Sequence, residues 1–179
     1  MQFSRLEIPD VILITPNVFG DTRGYFFEVF HEDKFSINFT TGEYTPKFVQ
    51  DNQAFSTKGV VRGLHFQNEY PQGKLVRCIK GSVLDVAVDI RPNSPTFGHH
   101  VSAVLSEHNH NQLWVPRGFA HGYSSLEDEN IVLYKCDDFY HPEDEGGIKW
   151  DDPSLNIDWN ISSPIVSDKD MLLPLLSEL

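Results

Sequence analysis

Cysteine, methionine and positive charge are all scarce in this chain. Its 179 residues include two Cys and two Met. Cys78 and Cys136 both fall in strand-like runs without paired spacing, so no disulfide framework is implied and reduced core thiols are expected. Fourteen Lys and Arg against 26 Asp and Glu leave a formal charge of −12. That balance argues against nucleic acid or an anionic membrane as partner, since both require a positive field. An anionic small ligand would have to be held by locally placed Arg and Lys. No apolar run approaches the length needed to cross a bilayer. The opening "MQFSRLEIPDVILITP" is broken by charges and Pro9 and lacks the basic start of a signal peptide, so a cytoplasmic location is expected. With no repeat, low-complexity segment or linker, residues 1–179 read as a single domain.

Rings, by contrast, are plentiful: thirteen Phe and six Tyr. Together with β-branched residues they suit pleated surfaces and point to an all-β fold. "VILIT" (11–15) and "YFFEVF" (25–30) read as strands around the turn-forming "PNVFGDTRG". "EDKFSINF" predicts one short helical turn, followed by a strand near "PKFVQDNQAFS". From residue 59, seven short strand candidates bounded by Gly, Pro, Asn or Asp indicate a β-sandwich or barrel. In "VLDVAVDI" the alternation sets Val83, Asp85, Ala87 and Asp89 opposite Leu84, Val86, Val88 and Ile90, with one face assigned to the core. After residue 141, Pro, Gly and acids predict a loop-rich tail with a short helix.

Two histidines stand out. His65 interrupts the apolar run "VVRGLHFQ", three residues after Arg62. His121 closes the Pro-x-Gly-x-x-His pattern of "LWVPRGFAHGYSS", which resembles the second motif of the cupin double-stranded β-helix barrels. In metal-dependent cupins the first motif supplies two His and a Glu, whereas "GLHFQ" offers one His. His99 and His100 are adjacent and face opposite sides of a strand. Three ligands therefore cannot be assembled, and no metal is expected. An imidazole oriented by a buried carboxylate would instead be a competent base. The spacing alone does not say which carboxylate.

"FGDTRGYFFE", "VQDN", "VVRGLHFQ", "QGKLVR", "DVAVDIRPNSPTFG", "LWVPRGFAHGY", "LYKCDDFY" and "SDKD", in this order over nearly the whole chain, resemble the dTDP-4-dehydrorhamnose 3,5-epimerase family. The resemblance implies a cupin-type jelly-roll β-barrel with short peripheral helices. It also implies a homodimer acting without cofactor on a dTDP-sugar that carries a ketone at carbon 4. By the same resemblance His65 is the base, Asp170 the carboxylate that orients it, Tyr134 the acid on the opposite face, and Lys74 the cation near the ketone oxygen. His121 joins the substrate-binding wall. Arg23, Glu28, Gln50, Asp51, Asn52, Arg62, Glu145 and Lys169 are implied to bind the nucleotide, Arg and Lys through charge-assisted hydrogen bonds to the diphosphate. Arg62 and His65 would share a pocket if Gly63 forms a bulge.

One departure is visible in "DDFYHP", where the family often has two tyrosines and Phe139 stands first. Its ring can still stack on a thymine, but any hydroxyl contact is lost. Three other readings compete: a carbon-3-only epimerase or ketoisomerase, a metal-dependent cupin enzyme, and a non-catalytic sugar-nucleotide binder.

Overall fold

A computed structural model describes residues 1–179. Strands β1 (Gln2–Arg5) and β2 (Ile12–Thr15) are followed by a hairpin of β3 (Phe19–Asp21) and β4 (Gly24–Phe26), then by helix α1 (Glu32–Phe39). The body comprises β5 (Gln50–Ser56), β6 (Val61–Gln67), β7 (Lys74–Lys80), β8 (Ser82–Asp89), β9 (His100–Ser106), β10 (Gln112–Val115), β11 (Phe119–Ser125) and β12 (Asn130–Cys136). A short β13 (Glu145–Gly147) and helix α2 (Asp168–Met171) lie in the tail.

Two antiparallel sheets result, one in the order β1-β2-β10-β7-β12-β5 and one in the order β13-β6-β11-β8-β9. This is a cupin-type jelly roll, as the strand pattern and the resemblance predict. Val76, Cys78, Leu113, Val115 and Val132 of the first sheet meet Val83, Ala87, Val101, Leu105, Phe119 and Tyr123 of the second. Burying each Val or Leu of this layer contributes roughly 1.5–3 kcal/mol. Both cysteines are free thiols and both are buried.

Three expectations need correction. The strand read at 25–30 ends at Phe26, because its only partner, β3, is three residues long. The helical turn at 32–39 is a full eight-residue helix, which lays Phe35 and Phe39 on Ile12, Ile14, Leu75 and Trp114. Phe39 stacks flat on Trp114 at 4.5 Å. Finally, β8 is buried on both faces. Val83 and Ala87 enter the core between the sheets, while Leu84, Val86 and Val88 are covered from outside by Ile148, Leu155 and Trp159. The loop-rich tail thus forms a third layer, and this strand has no solvent face.

Candidate active site

The site begins with an irregularity in β6. Arg62 pairs with Tyr123 and His65 with His121, so three steps along β6 match two along β11. Regular pleating would send residues three apart to opposite faces. The extra residue restores them to one side, and Arg62 and His65 line the same cavity. Gly63 makes this possible: its φ is +107°, and a Cβ there would lie 2.6 Å from the His121 carbonyl oxygen. The bulge expected from the glycine is present.

The cavity, about 320 Å³, is bounded by Arg62, His65, His121 and Tyr123 from one sheet, Lys74 and Tyr134 from the other, and Ser167, Lys169 and Asp170 from the tail. A second lobe of about 290 Å³ shares His65, Lys74 and Tyr134 and adds Gln50, Asn52, Phe66, Gln67, Gln72, Tyr140 and Glu145. Lys74 sits opposite Cys136 across β7 and β12, hence on the same face as Tyr134 two residues away. His65 and His121 therefore confront Lys74 and Tyr134 across the gap between the sheets.

Each histidine is backed by a carboxylate. His65 Nε2 lies 2.8 Å from Asp170 Oδ1, and the Gly63 N–H donates to Asp170 Oδ2 at 3.2 Å. Burial works against ionisation of Asp170, but the hydrogen bond and charge of His65, with Gly63 and Ser167, outweigh it and hold the carboxyl below its ordinary pKa. An ionised carboxylate only accepts, so Nε2 carries the proton and Nδ1 is left as the basic nitrogen. His121 Nε2 contacts both oxygens of fully buried Asp85 at 2.9 and 3.0 Å.

On the opposite wall, burial pushes the Tyr134 phenol up to about 12, and no hydrogen bond of its hydroxyl offsets this. Lys74 is lowered by removal from water, an effect partly countered by Cys136, Asp85 and Glu145. At the rim Glu145 accepts from Tyr140 Oη at 2.5 Å and from Lys169 Nζ at 2.7 Å. Glu145 is brought there by β13, which pairs Gly147 with His65. A Cβ on Gly147 would lie 2.8 Å from the Leu64 carbonyl oxygen, so the close strand approach needs glycine.

Ten of the fourteen residues named from the sequence therefore line the two lobes: His65, Tyr134, Asp170, Lys74, Gln50, Asn52, Arg62, His121, Glu145 and Lys169. Four do not. Arg23 is 88% exposed and paired with Asp21, Glu28 is paired with Lys34, Asp51 with Lys135, and Phe139 is exposed. The sequence reading missed Tyr123, Gln67, Tyr140 and Asp85. Two of these carried a signal: Tyr123 and Gln67 each lie two residues beyond a singled-out histidine, on the same strand face. No three His, Cys, Asp or Glu side chains converge as a metal-ligand set.

Comparison with known proteins agrees with this geometry. A family model described as dTDP-4-dehydrorhamnose 3,5-epimerase matches residues 5–178. The Shigella flexneri protein named dTDP-4-dehydrorhamnose 3,5-epimerase is 52% identical, with 96% of this chain and 93% of that protein aligned. Among solved structures, a Legionella pneumophila dTDP-6-deoxy-D-glucose-3,5-epimerase in complex with dTDP-4-keto-L-rhamnose superposes with a TM-score of 0.94. It is 44% identical and covers 98% of this chain and 93% of its own. A 3'-monoepimerase from Streptomyces bikiniensis is more distant, 31% identical with a TM-score of 0.89, covering 97% of this chain and 87% of its own. On the match over 174 residues of sequence and on a shared fold, the chain belongs to the dTDP-4-dehydrorhamnose 3,5-epimerase family.

Proposed function

We propose that this protein inverts carbons 3 and 5 of dTDP-4-dehydro-6-deoxy-D-glucose, giving dTDP-4-dehydro-L-rhamnose. The observation that carries the reading is a histidine–carboxylate pair facing a half-buried phenol and a lysine across one cavity. A ketone acidifies the C–H bonds on both neighbouring carbons. His65 Nδ1 takes a proton from one of them, Asp170 stabilises the imidazolium, and the electron pair passes into an enolate. The donors of Lys74 Nζ stabilise charge on the enolate oxygen, and His121, held by Asp85, joins the substrate-binding wall. Tyr134, a phenol protonated at neutral pH and pushed further up to about 12 by burial, returns a proton to the opposite face. Configuration inverts without oxidation or reduction. Arg62 and Lys169 hold the diphosphate, and the lobe with Gln50, Asn52, Tyr140 and Glu145 takes the nucleoside.

The test is incubation with dTDP-4-keto-6-deoxyglucose in deuterated water. Deuterium at carbons 3 and 5 is the expected result, and uptake at carbon 3 alone would move the protein to the monoepimerase reading. Free Cys78 and Cys136 favour a cytoplasmic setting, where thiols stay reduced.

The functional unit is a homodimer. The β3–β4 hairpin exposes Phe19, Tyr25 and Phe26 at 67%, 63% and 71%, an apolar surface suited to a second copy. Arg23, on the same hairpin, and Glu28 just beyond it lie outside their own cavity, and they complete the nucleotide site of the partner subunit. Arg23→Ala and His65→Ala proteins, each impaired alone, should regain activity when unfolded together and refolded as mixed dimers. With equal amounts and random pairing, about half of the dimers would hold one intact site, and so about a quarter of the sites would be intact. Mixtures no more active than their parents would rule this arrangement out.

A further inference from the structure

Tyr123 stands in the cavity wall without a task in the reaction described above. Its ring is buried in the core between the sheets, and it lines the lobe that holds His65, Lys74 and Tyr134. It is two residues from His121 on β11 and opposite Arg62 on β6. Its hydroxyl is 3.3 Å from Ser56 Oγ, a long contact, and the same Oγ accepts from Arg62 Nε at 3.0 Å.

Proton counting sets the direction of this chain. A guanidinium has only donors, so Ser56 Oγ accepts from Arg62. Ser56 is 3% exposed and has one proton of its own, for which the Tyr123 oxygen is the acceptor in reach. Were Tyr123 the donor instead, that serine proton would be buried without a partner, an arrangement that folded proteins avoid. Ser56 therefore donates to Tyr123, and the phenolic proton is left for a partner outside the protein.

We propose that Tyr123 is a further substrate-binding residue, whose hydroxyl donates a hydrogen bond to an oxygen of the hexose. Arg62, acting through Ser56, strengthens this donor, since each hydrogen bond in a chain polarises the next. Ser56 is a positioning residue in the same chain. The inference rests on the epimerase reading and adds a specificity element to it: a sugar with a carbon-bound hydrogen or methyl at that position leaves the phenol unpaired.

The experiment compares kcat and KM for dTDP-4-keto-6-deoxyglucose, with thermal melting as the fold control, in Tyr123→Phe, Ser56→Ala and the double variant. Tyr123→Phe keeps the ring and should lower kcat/KM about tenfold in a protein that still melts cooperatively, with the melting temperature lowered by a few degrees because the buried Ser56 hydroxyl loses its acceptor. Ser56→Ala should lower it about threefold. The double variant should match Tyr123→Phe within about twofold, because Ser56 acts through the phenol. Tyr123→Phe indistinguishable from the unsubstituted enzyme would overturn the inference, as would losses that multiply, since Ser56 would then act only by holding Arg62. If Tyr123→Phe does not fold, Ser56→Ala decides alone: no loss breaks the chain, and a threefold loss with dTDP binding unchanged sustains it. A loss matched by weaker dTDP binding breaks it, because Ser56 would then act only by holding Arg62. An unsubstituted enzyme without deuterium exchange would bring down the epimerase reading and this inference together, whereas exchange with an unaffected Tyr123→Phe brings down only the inference.

Discussion

His65→Ala should abolish turnover while leaving the sugar nucleotide bound. The base contributes roughly a hundred- to ten-thousand-fold to a proton transfer of this kind, and the loss should fall on kcat. Binding survives because Arg62, Lys169, Gln50 and Asn52 belong to other parts of the two lobes and none depends on the imidazole for its hydrogen bonds. Asp170 should follow the same pattern more weakly. In Asp170→Asn the amide can still contact His65, but it no longer offsets the charge that forms on the ring. Single-turnover deuterium uptake and calorimetric titration with dTDP separate the two effects. A His65→Ala protein that loses dTDP binding as severely as turnover would take the base assignment away from His65.

Tyr134→Phe should separate proton removal from inversion. With the phenol gone, His65 still abstracts a proton, exchanges it with solvent and returns it to the face from which it came. The starting sugar should therefore acquire deuterium while inverted product falls by roughly a hundredfold or more. Phe preserves the partly buried ring and takes away only the hydroxyl, which makes no hydrogen bond within the protein. Stability should then be unchanged or slightly raised, because a phenolic oxygen that cost free energy to desolvate has been removed. Proton NMR in deuterated water reads both quantities in one sample. Inverted product forming at the original rate would assign the acid role elsewhere, with Lys74 next to be tested.

The candidate site was more legible than the architecture that carries it. His65 stood out because a polar ring inside a strand needs a reason, and Gly63 beside it signalled the bulge that turns Arg62 to the same side. The partner of His65 could not be read from spacing, since Asp170 lies 105 residues away. Only the family resemblance supplied it. β13 escaped because "EGG" has no strand propensity; its place depends on the absence of side chains beside β6 rather than on any pattern of its own. The alternation in β8 was read correctly, but its second apolar face implied solvent-averse surface that only the tail could cover. Arg23 and Glu28 show a different limit. A resemblance assigns a role without a location, and these two residues lie outside the cavity of their own chain.

The dependence of His65 on Asp170 gives this enzyme a built-in check on completeness. A nascent chain can pair β5 through β12 once β12 has been made, yet His65 has no carboxylate partner until β13 has joined β6 and the segment bearing Asp170 has emerged and seated beside Gly63. The residues that cover Leu84, Val86 and Val88 precede that segment in the same tail. A proteolytic cut ahead of Ile148 would take away both the carboxylate partner of His65 and the apolar cover of β8. Catalytic competence and concealment from degradation are thereby acquired, and lost, together.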